Sequence, residues 1–183
     1  MTSLCVLDYH TVIIGDKFGT ISVLRLPDNC NDEHMNLITG GNLWDQGLLN
    51  GAPNKAETIA SFYLNDIPTQ ILKTAFKSGG REILLISTIE GGLYTLIPSK
   101  SKDEWLFYNH LEMFMRQEYT NLCQRDHLSY RSYHIPAKNI VDGELCLKFI
   151  NSLNYVKQCE FAENVDRSMM EILKKLEEIN DFL

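Results

Sequence analysis

The feature that most limits the fold of this chain is a change of period near residue 100. Up to Pro98 the apolar residues come in short runs: Leu4–Leu7, Thr11–Ile14, Ile21–Leu26, Thr58–Leu64, Thr69–Phe76, Arg81–Ile89 and Gly92–Ile97. Gly15-Asp16-Lys17-Phe18-Gly19, Asn65-Asp66, Ser78-Gly79-Gly80 and Glu90-Gly91-Gly92 punctuate them. Strand, turn, strand at this spacing predicts an antiparallel β-meander over residues 1–100. In the run Ile21–Leu26, alternation sets Ile21, Val23 and Arg25 on one face and Ser22, Leu24 and Leu26 on the other. From Lys102 the period becomes helical.

Six or seven short strands leave open sheet edges and an apolar face that needs a partner. Repeating four-stranded blades around a channel is one solution. About 100 residues make roughly two blades at about 40–50 residues each, too few to close a ring. The meander is therefore expected to be either a different small sheet or the end of something longer. An insertion over residues 27–55 interrupts it, rich in Asn, Asp and Gly, with one apolar cluster of Leu43, Trp44, Leu48 and Leu49. A loop this long inside a compact sheet is often functional. Two readings stand for the cluster: Trp44 folds back onto its own sheet, or Trp44, Leu48 and Leu49 anchor a partner.

Residues 101–183 are expected to form a helical domain, giving an α+β chain. Phe107, Tyr108, Leu111, Phe114 and Met115 recur at three- and four-residue spacing, with Asp103, Glu104, Glu112 and Arg116 falling off that stripe. Asp142 is placed to cap a second helix that turns Leu145 and Phe149 inward. Ser168-x-x-Glu171 is a capping box opening a third, with Ile172, Leu176, Ile179 and Leu183 in one stripe and Glu171–Lys175 as an i,i+4 pair.

Chemistry-bearing motifs are scarce. There is no Walker A loop, GxGxxG, HExxH or GxSxG. Gly15–Gly19 lacks the Gly-Lys-Ser/Thr ending of a phosphate loop and reads as a hairpin turn. Cys123, His127, His134 and Cys146 are the best metal candidates, but only Cys123 and His127 have a chelating spacing, so packing is expected rather than zinc. No paired carboxylates or oriented Cys/His pair can be nominated, and neither an enzyme nor a cofactor is expected.

Charge points the same way. Lys and Arg number 17 against 24 Asp and Glu, a net charge of -7. Both halves are acidic, with 7 basic and 10 acidic residues up to 100 and 10 and 14 beyond. Binding driven by neutralised phosphates needs the opposite balance, so RNA is expected only as an indirect partner. No apolar run approaches the ~20 residues needed to span a bilayer, so no membrane partner is expected. The opening MTSLCVLDYH lacks a basic region, so no secretory signal is expected. Five scattered cysteines without CxxC spacing suit a reducing compartment.

One stretch is both charged and aromatic, Arg125 to Pro136. If helical from Asp126, it sets Leu128 and Arg131 on one side and His127, Tyr130 and His134 on another. Arg125 and Arg131 are suited to clamp carboxylates or carbonyls. The clamp either ties the sheet to the helical tail or contacts another subunit. Arg125, His127, Arg131 and Tyr133 join Trp44, Leu48 and Leu49 as candidate partner-binding residues.

Several of these stretches carry a resemblance. Asp16-Lys17-Phe18-Gly19-Thr20-Ile21 with Arg25-Leu26-Pro27, Leu43 to Ala52, Gln124 to Tyr133 and Val141 to Cys146 resemble the C-terminal part of the splicing factor 3b subunit 3 family. The likeness is collinear through almost the whole chain. Its Trp-Asp-x-Gly-Leu-Leu-Asn-Gly-Ala and Arg-Asp-His-Leu-Ser motifs are specific. The wider family includes the large subunits of the damaged-DNA-binding complex and of the cleavage and polyadenylation factor. The resemblance implies a far longer chain of three β-propellers and a C-terminal helical domain. This sequence would cover the last blades of the third propeller and that helical domain. It also implies a nuclear, non-catalytic scaffold of the splicing factor 3b complex, supporting branch-site recognition. The implied partners are the helical-repeat large subunit, the small subunits and the remainder of its own propeller chain. The alternative is an adaptor of the sister families, in ubiquitination or messenger-RNA 3′ processing.

Overall fold

The structure is a computed structural model, and it describes residues 1–27, 56–119 and 125–180. Among the described residues seven strands are followed by five helices, an α+β arrangement. The strands are β1 (Ser3–Val6), β2 (Thr11–Gly15), β3 (Thr20–Arg25), β4 (Glu57–Tyr63), β5 (Pro68–Thr74), β6 (Ile83–Thr88) and β7 (Leu93–Leu96). They form two antiparallel sheets with strands in sequence order, β1-β2-β3-β4 and β5-β6-β7.

Local chemistry explains the turns. In the β2–β3 hairpin the Asp16 carboxylate accepts the Phe18 and Thr20 amides at 2.8 and 2.9 Å. Gly19 closes that turn at φ +92, and a Cβ there would come within 2.9 Å of the Asp66 carbonyl. Asp66 in turn accepts the amides of Ile67 and Glu90, joining the β4–β5 turn to the β6–β7 turn.

The sheets share an apolar cluster. Ile13, Ile21 and Phe62 from the first meet Ile71, Leu84 and Ile86 from the second, with Leu64 between them. In β2, Thr11, Ile13 and Gly15 are buried while Val12 and Ile14 are half-buried, the period of two expected of a strand with one core face. Gly15 is glycine because the sheets touch there: a Cβ would lie 2.4 Å from Pro68 Cγ and 2.5 Å from Ser3 Oγ. Gly15→Val should therefore destabilise the chain by about 1–3 kcal/mol through overpacking. Denaturant unfolding checks this, and an unchanged midpoint would mean that the sheets slide apart without cost.

Five helices follow: α1 (Lys102–Glu118), α2 (His127–Tyr130), α3 (Gly143–Ser152), α4 (Tyr155–Asn164) and α5 (Met169–Asn180). Their starts follow from side chains that satisfy orphan amides. Ser101 Oγ accepts Glu104 N, Asp142 accepts Glu144 N and Leu145 N, Asn154 accepts Lys157 N, and Ser168 accepts Glu171 N. The helices bury a second apolar cluster, in which Phe107, Leu111 and Met115 meet Leu145, Phe149, Phe161, Ile172 and Leu176.

Three sequence expectations change. Helix α4 lies where no element was expected. Glu112, off the apolar stripe of α1, is only 4% exposed. The Arg125–Pro136 stretch holds a single helical turn, His127–Tyr130, after which Ser132 Oγ donates back to the Leu128 carbonyl and the chain bends over residues 133–135. Residues Lys138 and Ser61 form a β-bridge with both backbone bonds made. The segment after α2 thus covers the outer edge of β4.

Candidate partner interface

Helix α2 and the segment behind it form the junction between sheet and helices, and Arg131 is its centre. The Arg131 carbonyl accepts the Tyr63 amide of β4 at 3.0 Å, and its guanidinium lies 5.0 Å from the centre of the Phe62 ring. The same guanidinium reaches α3, donating from Nε to Asp142 Oδ2 at 2.6 Å and from Nη2 to Glu144 Oε2 at 3.0 Å. One side chain thus grips both layers, with a planar fork suited to carboxylates.

Asp142 is the receiving hub. One oxygen caps α3, and the other lies 2.6 Å from Arg131 Nε and 3.0 Å from His127 Nε2. Burial works against ionisation of this carboxyl, but His127 and Arg131 outweigh it and hold its pKa down at about 2. Glu112 of α1 approaches from the other side, 3.9 Å from His127 Nε2 and 3.6 Å from Arg116. Burial dominates there and raises the Glu112 pKa, despite the nearby cations.

His127 and Arg131 are four residues apart and meet at Asp142, not on opposite sides as the helical reading had placed them. Leu128 points to solvent. Tyr133 is exposed and stacks on Tyr63 of β4, with ring centres 5.3 Å apart and an interplanar angle of 17°. His134 packs against Phe18 of the β2–β3 turn at 4.5 Å. Arg125 is exposed at the entry to α2. Trp44, Leu48 and Leu49 lie outside the described residues, as does Cys123. Of the other metal candidates, His127 faces Asp142, His134 faces Phe18, and Cys146 is buried in the helical core, where burial pushes its thiol pKa well up. Among the described residues no group of His, Cys, Asp or Glu has an arrangement that would hold a metal ion.

A second ion pair fastens the layers. Arg81, just before β6, faces Glu104 in the first turn of α1, with nitrogen–oxygen distances of 3.2 and 3.4 Å. Sequence reasoning missed Glu112, Asp142 as a hub and the Arg81–Glu104 pair. Only the cap role of Asp142 carried a local signal.

The family model described as the CPSF A subunit region matches residues 1–151. The chain belongs to that family. Among curated relatives, "Splicing factor 3B subunit 3" of Danio rerio is 46% identical over 180 residues, 98% of this chain. "Probable splicing factor 3B subunit 3" of Dictyostelium discoideum is 49% identical over the same share. "Spliceosome-associated protein 130 A" of Arabidopsis thaliana is 42% identical over 94% of this chain. The chain spans only 15%, 14% and 14% of those three proteins respectively. In this member of the CPSF A subunit region family, the matched residues include both sheets and the Arg131–Asp142 junction.

Proposed function

We propose that this chain is the C-terminal part of a non-catalytic scaffold of the splicing factor 3b complex, supporting branch-site recognition in the nucleus. Residues 1–100 are the last blades of a β-propeller with an inserted loop at 27–55, and residues 101–183 are its helical domain. The observation that carries this reading is the identity of 42–49% over 94–98% of the chain with relatives named as splicing factors or spliceosome-associated proteins. The sister-family alternative, in ubiquitination or 3′ processing, is a reading the family model would also accommodate, and the splicing-factor names of these relatives favour the first. A net charge of -7 suits protein contacts better than direct RNA contact.

In this reading the partners are the helical-repeat large subunit, the small subunits and the remainder of the same polypeptide. Trp44, Leu48 and Leu49 supply an apolar anchor, and exposed Arg125 and Tyr133 add a charged and aromatic rim. Buried His127 and Arg131 hold that rim in place. Replacing Trp44, Leu48 and Leu49 together by Ser should cost at least about 2 kcal/mol of subunit association, roughly 30-fold in Kd, with the fold intact. Binding titrations with purified subunits check it, and unchanged affinity would remove the anchor. The reading as a whole is tested by tagging the native C-terminus and purifying from nuclear extract. A long chain carrying branch-site subunits and their small nuclear RNA supports it. A 21.0 kDa chain without them overturns it.

A further inference from the structure

His127 is buried between two carboxylates that are themselves buried. Its Nε2 lies 3.0 Å from Asp142 Oδ2, at the head of α3, and 3.9 Å from Glu112 Oε1 of α1. It is aligned as a hydrogen-bond donor to neither. One imidazole thus stands between α1 and α3 within ion-pair reach of both. The other charged or titratable groups around it are Arg116 of α1, Arg131 after α2, and Glu144 and Cys146 of α3. The phenols of Tyr94 and Tyr130 lie near Arg131.

Charge does not balance across these groups without a proton. The carboxylates of Glu112, Asp142 and Glu144 face the guanidiniums of Arg116 and Arg131. Glu144 is 72% exposed, so water supports its charge, but the inner two depend on the protein. Arg131 splits its fork between Asp142 and Glu144. Arg116 meets Glu112 only at 3.6 Å, and its Nε is buried with no hydrogen-bond partner. Glu112 is therefore the least compensated charge, and burial raises its pKa. A buried carboxylate short of a counter-charge is costly. One proton, on the imidazole or on Glu112, removes the deficit. The Cys146 thiol and the Tyr94 phenol have their pKa values pushed up by burial and stay neutral.

We propose that Glu112, His127 and Asp142 hold one proton in common and form a pH-sensitive latch between α1, α2 and α3. Groups this close titrate as a unit, so the proton belongs to the cluster and not to one residue. With the proton in place, the cluster draws α1 and α3 together through His127. Once it leaves, a neutral imidazole faces two carboxylates and the latch loosens. The fold holds this proton at a pH where a free imidazole, titrating near about 6.5, has lost it. The stabilisation is therefore present at lower pH and is lost as the pH rises through the cluster's own titration. Arg131 ties the same Asp142 to Phe62 and Tyr63, so the latch lies where the helices meet the first sheet. It depends on none of the proposed partners.

The test follows backbone hydrogen exchange in the intact polypeptide, purified through its native C-terminus, at about pH 6.5 and about pH 8.5, with intrinsic rates corrected. Peptides from α1 and α3 should lose about tenfold in protection at the higher pH, while those from β2 and β3 keep theirs. His127→Gln should begin with reduced protection in α1 and α3 and show no such dependence on pH. Glu112→Gln removes the carboxylate that needs the proton, so protection there should be the same at both pH values. That variant carries the test if His127→Gln does not fold. Wild-type protection that changes less than about twofold between the two pH values overturns the proposal. So does a loss of about tenfold that persists in Glu112→Gln.

Discussion

Replacing Asp142 by Ala is expected to lower the unfolding free energy by about 3–5 kcal/mol, which for a chain of this size is a fall of roughly 10 °C in Tm. Three losses coincide. The cap on α3 goes, leaving the Glu144 and Leu145 amides without their acceptor. Arg131, only 8% exposed, keeps its charge but loses the closer of its two carboxylates. His127, 6% exposed, faces Glu112 alone. Asp142→Asn retains a capping oxygen and should recover part of the loss, so a thermal melt of both variants separates the cap from the charge.

The same residue sets the acid limb of stability. The folded-state pKa of Asp142 is about 2 against an ordinary 3.8, so its ionisation stabilises the fold at any pH above 3.8. That contribution, about 2 kcal/mol, is lost as the pH falls from 3.8 through 2. Glu112 has the opposite sign. Its pKa is raised above 4.5, so its ionised form weakens the fold, and stability is recovered as acidification protonates it. Stability should therefore rise slightly on mild acidification and then fall steeply below about pH 4. Asp142→Ala should flatten the steep part, and Glu112→Gln the gentle rise. An acid limb unchanged in Asp142→Ala would remove Asp142 from the hub of the junction.

How much of this could be read from the sequence depended on range. The seven strands were legible because each alternates or runs apolar between Gly, Asn and Asp turns, and a strand's period needs only a few residues to show. Asp142 and Ser168 were legible as caps because a cap lies within three residues of the amide it satisfies. Helix α4 was not, because its buried residues are only Gln158, Phe161 and Ala162, too sparse for an apolar stripe. Asn154 does cap it, but a lone Asn before a mixed run is a weak start signal. The junction was illegible for a different reason. Arg131 reaches Asp142 eleven residues on and Tyr63 in a distant strand, and Lys138 pairs with Ser61 across 77 positions. Nothing local marks such partners. The aromatic and charged residues of the stretch after Arg125 marked it as a contact region, without saying which residues would be buried.

Phe149→Ala is expected to cost about 3–5 kcal/mol, and its effect should fall unevenly over the chain. Phe149 is wholly buried on α3, meets the Phe161 ring of α4 edge-on at 6.4 Å, and its carbonyl accepts Gln158 Nε2 at 2.9 Å. Truncation opens a cavity where side chains of α1, α3 and α4 meet, and these capped helices cannot collapse to fill it without moving their caps. The apolar cluster of the helices shares no buried residue with that of the sheets. What joins the two is chiefly polar: Arg81 to Glu104, Arg131 to Asp142 and Glu144, and the bridge at Lys138. Polar fasteners transmit less of a cavity's cost than a continuous core does, because each holds its partners by geometry rather than by shared volume. Native-state hydrogen exchange should therefore show the amides of α1, α3, α4 and α5 losing protection while those of β2 and β3 keep theirs. Equal loss in the strands would mean that sheets and helices unfold as one unit, and that the junction couples them as tightly as a common core would.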